Sequence, residues 1–415
     1  MKNLKGAVLF AQSGGPTSVI NSSAAGVFLT ALKEENVTDV YGALHGIRGI
    51  LNEELIDIRQ EDEKELALLK TTPSSALGSV RYKLKDASVD DTDYKRLLEV
   101  FKKYNIRFFF YNGGNDSMDT CNKISKYMAK SGWDCNVVGV PKTIDNDLFG
   151  TDHCPGYASA AKYIATSLME VYLDMHVYDT PMIAVVEIMG RNAGWLTAAA
   201  SLATLKGYGP DLLYLPEEDF DLEKFYKEVE EMYQKKNGKV LIAVSEGIHD
   251  KDGKFIPELA GEVKHDSFGH AQLGGTAAVL VQLLSNKIDV KMRAIELSLL
   301  QRCGAHCGSK TDIEEAFNAG SIAVKEAISG TTDKMVIFKR VNQNPYKINY
   351  ELVDLALAAN TEKKVPLEWI KPDHTGMANA FYDYALPLIQ GDSEQAKEDS
   401  LPRFAKLKKV LVEKK

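Results

Sequence analysis

Short apolar runs, each followed at once by a glycine-bearing or charged turn and then by a helical stretch, recur along most of this chain. Few folds accommodate that alternation. Strands buried on both faces and joined by helices form doubly wound α/β sheets with mostly parallel strands. Residues 6–11, 39–44, 107–110, 136–139, 182–188, 211–215, 239–244, 293–297 and 334–338 read as strands. Helices are expected over 90–104, capped by Asp90 or Asp91, and over 159–173, 222–235, 276–285 and 312–329. Ligands of such sheets bind at the carboxyl ends of the strands. Every glycine or charge cluster noted below falls at one.

Two of those ends organise the rest. Tyr111-Asn112-Gly113-Gly114-Asn115-Asp116-Ser117 follows one strand, and Pro141-Lys142-Thr143-Ile144-Asp145-Asn146-Asp147 follows its neighbour. A helix starting at a strand end points backbone N–H groups and the positive end of its dipole at one spot. Glycines there let phosphate oxygens reach the backbone. A lysine and several carboxylates next door add charge neutralisation, metal ligation and a base, the needs of phosphoryl transfer. Gln12-Ser13-Gly14-Gly15-Pro16 forms a third turn of this kind, weak by itself. Residues 71–83 form a long small-residue loop ending in Arg81 and Lys83, read as a binding loop or lid.

The chain has 415 residues, room for two domains and an extension, and carries a net charge of −8, which argues against nucleic acid as the main partner. An anionic substrate must therefore meet locally concentrated Arg and Lys. Five scattered cysteines suit a reducing cytoplasm. The apolar run at 7–10 is too short for a signal peptide, and no run reaches the ~18 residues of a membrane span. The reading divides the chain into 1–155 plus about 300–345 as one domain and 156–299 as a second. Residues 346–415 form an extension packed across both, its last ten or so residues an exposed Lys-rich helix.

With these residues assembled, the chain resembles the phosphofructokinase family over nearly its whole length. The resemblance rests on Gly14-Gly15, Gly78-Ser79-Val80-Arg81-Tyr82, Gly113–Ser117, Pro141–Asp147, Glu187-Ile188-Met189-Gly190-Arg191, Ser245-Glu246-Gly247 and Gln301-Arg302, all in the family's order. It implies the phosphofructokinase fold, two Rossmann-like domains with a C-terminal extension, and looks most like the pyrophosphate-dependent branch. ATP-using relatives typically have glycine at the positions of Asp116 and Lys142. An aspartate there would crowd and repel an α-phosphate, and the lysine would hold a donor that has no adenosine to anchor it.

The resemblance implies roles residue by residue. Asp145 would be the base for the sugar C1 hydroxyl, with Thr143 bonding substrate and transferred group and Lys142 neutralising charge. Arg191, Gly15, Arg81, Gly114 and Asp116 would contact the donor or the phosphate in flight. Met189, Gly190 and Glu246 would hold the sugar, and Arg302 and Arg293 its 6-phosphate, one such arginine coming from a neighbouring subunit in a homodimer or homotetramer. Mg²⁺ would sit at Asp116 and Asp147. The implied substrates are pyrophosphate and fructose 6-phosphate. There are departures: Asn115 replaces an acidic residue, Pro16 another, Met182 an arginine and Leu299 a histidine of bacterial ATP enzymes.

Blander readings compete. A lone arginine is usually solvated. Cys303, His306 and Cys307 lack a fourth zinc ligand. Trp133, Trp195 and Trp369 read as core or interface aromatics, and His153, His249 and His270 have no paired carboxylate at a telling spacing. Rival functions are an ATP-dependent phosphofructokinase and a non-catalytic regulatory subunit. The latter usually loses the base or the lysine, both intact here. A dehydrogenase is opposed by the missing G-x-G-x-x-G fingerprint.

Overall fold

Apolar strands that recur between helices have nowhere to hide except inside sheets covered on both faces. The computed structural model, which describes residues 4–259, 275–359 and 361–414, arranges them so. In chain order the strands are β1 (Gly6–Gln12), β2 (Val37–Ala43), β3 (Leu55–Asp57), β4 (Ile106–Gly113) and β5 (Asn136–Pro141). Next come β6 (Met182–Ile188), β7 (Leu212–Tyr214), β8 (Lys239–Ser245) and β9 (Lys291–Glu296), then β10 (Lys334–Gln343) and β11 (Tyr346–Asp354).

The first sheet has the order β11-β10-β5-β4-β1-β2-β3. Its five inner strands run parallel, and β3 and β11 close the two edges antiparallel. The second sheet, β7-β8-β6-β9, is parallel throughout. Every residue of β1 and of β6 is buried. Separate apolar clusters cover the two faces of each sheet, with Phe109 and Tyr111 in one cluster of the first sheet and Phe108 and Phe110 in the other. This is the doubly wound α/β architecture expected, in two sheets.

The helices 222–235 and 276–285 fall where the pattern put them. The helix at 92–103 starts two residues later than read, and Asp90, not Asp91, accepts a hydrogen bond from the Thr92 N–H. Three local readings need correction. Residues 346–354 are not the start of an extension but β11, which pairs with β10 residue by residue, Lys334 opposite Asp354 and Gln343 opposite Tyr346. The Lys-rich tail is not a helix. It lies extended along β3, with Asp57 N–H donating to Val410 O and Val412 N–H to Leu55 O. The backbone N–H groups of Lys406, Lys408 and Lys409 are taken by the carboxylates of Glu65 and Glu61, which a helix could not offer. His153, read as lacking a carboxylate partner, sits between two: Asp152 Oδ1 at 2.8 Å and Glu315 Oε2 at 2.6 Å. The sequence distance to Glu315 hid that pairing. His270 lies outside the described residues.

Of the other C-terminal residues, Leu355 and Ala358 pack on the first sheet and residues 365–388 on the second. Val365, Ile370, Met377, Phe381 and Leu388 join its apolar cluster, where Trp195 and Trp369 pack edge to face and Tyr384 lies tilted against both, with ring centroids 5.2–6.1 Å apart. Among the described residues no helix is long and apolar enough to cross a membrane.

Candidate active site

The carboxyl ends of β1, β4 and β5 in the first sheet and of β6 and β8 in the second open on one cleft of about 860 Å³. Its lining includes Gly15, Arg81, Gly114, Asp116, Lys142, Thr143, Asp145, Asp147, Met189, Arg191, Glu246 and Arg302. The structure therefore brings together residues that lie almost three hundred positions apart in the chain.

On the donor side, β4 and β5 end in register, Gly113 opposite Pro141. A Cβ on Gly113 would fall 1.9 Å from Ser117 Oγ, so packing alone demands glycine there. Gly114 is different: a Cβ would meet nothing closer than 3.7 Å, and the fold itself does not require the glycine. It leaves the start of the helix Asn115–Lys130 open to the cleft, where N–H groups and helix dipole favour an anion. Gly14, at φ +76°, turns the β1 segment beneath the same space. Ser79 Oγ donates to Gly14 O at 2.6 Å and ties down the loop that carries Arg81.

Lys142 is 3% exposed and donates from Nζ to Gly15 O at 2.6 Å. Burial pulls its pKa down to about 8, with Asp145 and Asp147 pulling it back up and Arg302 and Arg81 adding to the depression. Asp145 and Asp147 thus offset part of what burial costs the ammonium. Burial pushes Asp145 upward, and Lys142, the Thr143 hydroxyl, Arg191 and Arg302 all oppose that rise. Thr143 Oγ1 accepts from Asp145 N–H at 3.1 Å and donates to Asp145 Oδ2 at 3.4 Å, which fixes the carboxylate against its own loop. A carboxylate raised by burial and facing a cleft is a candidate base.

Asp147, raised by burial and by Asp145 and Glu362 to about 7, accepts from Asn115 Nδ2 at 3.0 Å through Oδ2. Among the described residues its Oδ1 and the Oδ1 of Asn115, both buried, have no hydrogen-bond partner. Two unsatisfied hard oxygens on a hydrogen-bonded pair of residues fit a Mg²⁺ ion, whose usual protein ligands are one or two carboxylates supplemented by phosphate oxygens and water. Among the described residues no cluster of three or more His, Cys, Asp or Glu is arranged to hold a metal unaided. A cation here would need the substrate's oxygens. Asp116 is exposed at the cleft wall and is not bonded to that pair.

On the other side, Gly190, at φ +139°, gives its N–H to Glu246 Oε1 at 3.3 Å. Burial raises Glu246 to about 7, with the Gly190 N–H acting against it. Buried Gln301 holds the Met189 N–H at 3.1 Å, a supporting role that nothing in its own segment signalled. Arg302 packs its guanidinium 3.1 Å from where a Cβ of Gly15 would stand, so a side chain at 15 would displace it.

Arg293 is not in the cleft. It lies midway along the outermost strand β9, three residues short of its carboxyl end, and lines a separate cavity of about 440 Å³ with Asp174, Met182 and Lys291. Two further residues of the site have no role in the sequence reading. Asn146, fully buried at φ +57°, accepts from Cys154 N–H at 2.9 Å and donates to Tyr384 OH at 2.8 Å, pinning the loop between Lys142 and Asp147. Glu362, from the C-terminal segment, lines the cleft beside Asp147 and accepts from Asn192 at 3.1 Å. The left-handed backbone at Asn146 is a conformation asparagine tolerates, and an Asp-Asn-Asp run is a fair signal for it. Glu362 carried no such signal.

Comparison with known proteins agrees with this geometry. The phosphofructokinase family model matches residues 7–304. The pyrophosphate–fructose 6-phosphate 1-phosphotransferase of Halomonas elongata is 44% identical over 98% of this chain and 97% of its own, and that of Methylococcus capsulatus 42% over the same shares. The crystal structure of the pyrophosphate-dependent phosphofructokinase from Marinobacter aquaeolei superposes with a TM-score of 0.88 at 38% identity, covering 99% of this chain and 98% of the other. Two sheets meeting at one anion-lined cleft, a family model across most of the chain and full-length relatives above 40% identity lead to one conclusion: this chain belongs to the phosphofructokinase family.

Proposed function

We propose that the chain reversibly transfers a phosphoryl group from pyrophosphate to the C1 hydroxyl of fructose 6-phosphate, giving fructose 1,6-bisphosphate and phosphate. The observation that carries the reading is Lys142, buried at the cleft floor with its charge turned toward Asp145 and the Gly14–Gly15 turn. Full-length relatives that bear the name of this activity support it.

In this reading Asp145 accepts the C1 hydroxyl proton as the oxygen attacks the terminal phosphorus. Thr143 holds the carboxylate in line, and Lys142, Arg191 and Arg81 neutralise charge on the phosphoryl group in transit. Positioning and electrostatics then account for most of the rate, because the transition state is loose and offers little covalent chemistry to the protein. Gly15 and Gly114 admit the diphosphate to the backbone, and Asp116 denies the same wall to an α-phosphate. Met189 and Gly190 flank the sugar, Glu246 accepts from its hydroxyls, and Arg302 grips the 6-phosphate. Arg293 would serve the cleft of a second subunit from the outer edge of β9, in a homodimer or homotetramer. Asp147 and Asn115 would hold Mg²⁺, with Asp116 on the same cleft wall; the ion would supply positive charge against that developing on the phosphates. Five free cysteines fit a reducing, cytoplasmic setting.

Purified protein assayed with fructose 6-phosphate and Mg²⁺ should turn over with pyrophosphate and at least a hundredfold less efficiently with ATP. Turnover with ATP and none with pyrophosphate rejects the reading.

A further inference from the structure

One short C-terminal segment touches both halves of the cleft. The Lys363 N–H donates to Asp147 O at 2.8 Å, while the Lys363 carbonyl accepts from Trp195 Nε1 at 2.9 Å. A single residue thus joins the loop that carries the base to the segment that follows Arg191. The Lys363 ammonium repeats the join: it donates to Asp152 O at 2.6 Å and lies 5.0 Å from the Trp195 ring centroid. One residue earlier, Glu362 Oε1 accepts from Asn192, the neighbour of Arg191, and Glu362 forms an antiparallel bridge with Leu148. Two residues later, the Val365 N–H shares Glu217 Oε1 with the N–H of Gly194.

These bonds have no counterpart in the chemistry already assigned. The first sheet holds the base and the second sheet's loop holds Arg191, yet phosphoryl transfer needs both at a fixed separation, and misplacement by about 1 Å can cost on the order of a hundredfold. We infer that Glu362 and Lys363 are positioning residues: a strut from the C-terminal segment that sets the gap between Asp145 and Arg191. The inference rests on the phosphoryl-transfer reading. Each half of the cleft binds its own ligand groups without the strut, so its loss should slow the chemical step and leave both substrates binding normally.

The test uses Glu362→Ala, Glu362→Gln and Trp195→Phe in the full chain, with kcat, both KM values and Tm measured for each. Gln keeps an oxygen that can accept from Asn192, whereas Ala does not. Phe keeps an aromatic ring but deletes the donor to Lys363 O. The expected result is a kcat about tenfold lower for Glu362→Ala and Trp195→Phe, KM values within about twofold of wild type, and near-complete rescue in Glu362→Gln. Because the Glu362 side chain is at the surface, Glu362→Ala should melt with wild type even if Trp195→Phe does not. Unchanged kcat in Glu362→Ala, a rise in KM in place of a fall in kcat, or an equal defect in Glu362→Gln would overturn the strut. A wild-type enzyme that uses ATP and not pyrophosphate would reject the donor assignment instead, and the same kcat comparison would then be made with ATP.

Discussion

Replacing Lys142 by methionine removes one charge and almost no volume from the cleft floor. The ammonium is buried, and among the described residues its hydrogen bond is to the Gly15 carbonyl, a neutral group. Its charge is therefore available to a phosphoryl group sharing that space. For opposite unit charges about 4 Å apart at an effective dielectric of about 20, Coulomb attraction is ~4 kcal/mol. At ~1.4 kcal/mol per decade, that is about a thousandfold in kcat/KM for pyrophosphate. Part of it will appear as weaker binding, since the donor is already anionic before it reacts, and only the transition-state share lowers kcat. The protein itself should tolerate the change. Gly15 O loses a donor at a cost of ~1–3 kcal/mol, and relief from burying a cation works in the opposite direction. Initial rates of fructose 1,6-bisphosphate formation across pyrophosphate concentrations, with Tm alongside, measure all of this. KM for fructose 6-phosphate should move little, because Lys142 faces the donor. A variant that keeps kcat/KM for pyrophosphate within tenfold of wild type would show that the ammonium does not face the phosphoryl group, and the donor assignment would lose its physical basis.

Other substitutions probe the remaining parts. Asp145→Asn preserves shape and should cut kcat by about 10²–10⁴ with little change in Tm; a near-normal rate removes Asp145 from the role of base. Asp116→Gly should raise kcat/KM for ATP relative to pyrophosphate, more so when combined with Lys142→Gly, and an unchanged ratio refutes exclusion by that side chain. Burial alone would depress His153, but Glu315 and Asp152 overcome it and raise its pKa to about 9. A group with a raised folded-state pKa stabilises fully below its unfolded value near 6.5 and loses that contribution as pH climbs through about 9. Thermal melts from pH 6 to 10 should therefore fall in that window, and His153→Gln should flatten the fall; an equal slope in the variant would place its cause elsewhere.

How much of this could be read from residues alone depends on what each residue answers to. Strands β6 and β8 were legible as continuous apolar runs buried on both faces, and the helix 222–235 by its amphipathic period. The cleft was legible because its residues sit at strand ends, where parallel topology must gather them. Strand β11 is hard to read although Tyr346, Ile348, Tyr350 and Leu352 alternate with period two, because scattered aromatics among prolines equally mark an irregular tail. The tail after 403 follows no local preference: its lysine N–H groups answer to Glu61 and Glu65, more than three hundred residues away. Lys363 joins the site through backbone atoms, which no choice of side chain reveals. Arg293 stands outside its own chain's cleft for a geometric reason: a residue three positions short of a strand's end, on the outer edge, cannot reach a cleft built from that chain's strand ends, and only a neighbouring subunit could use it.

The most direct measurement is a crystal structure with a non-hydrolysable diphosphate analogue and fructose 6-phosphate bound together. The terminal phosphorus should lie between the Lys142 ammonium and the C1 hydroxyl, with that hydroxyl within hydrogen-bond reach of Asp145. A diphosphate seated away from Lys142, or a C1 hydroxyl beyond the reach of Asp145, would contradict the proposed chemistry at its centre.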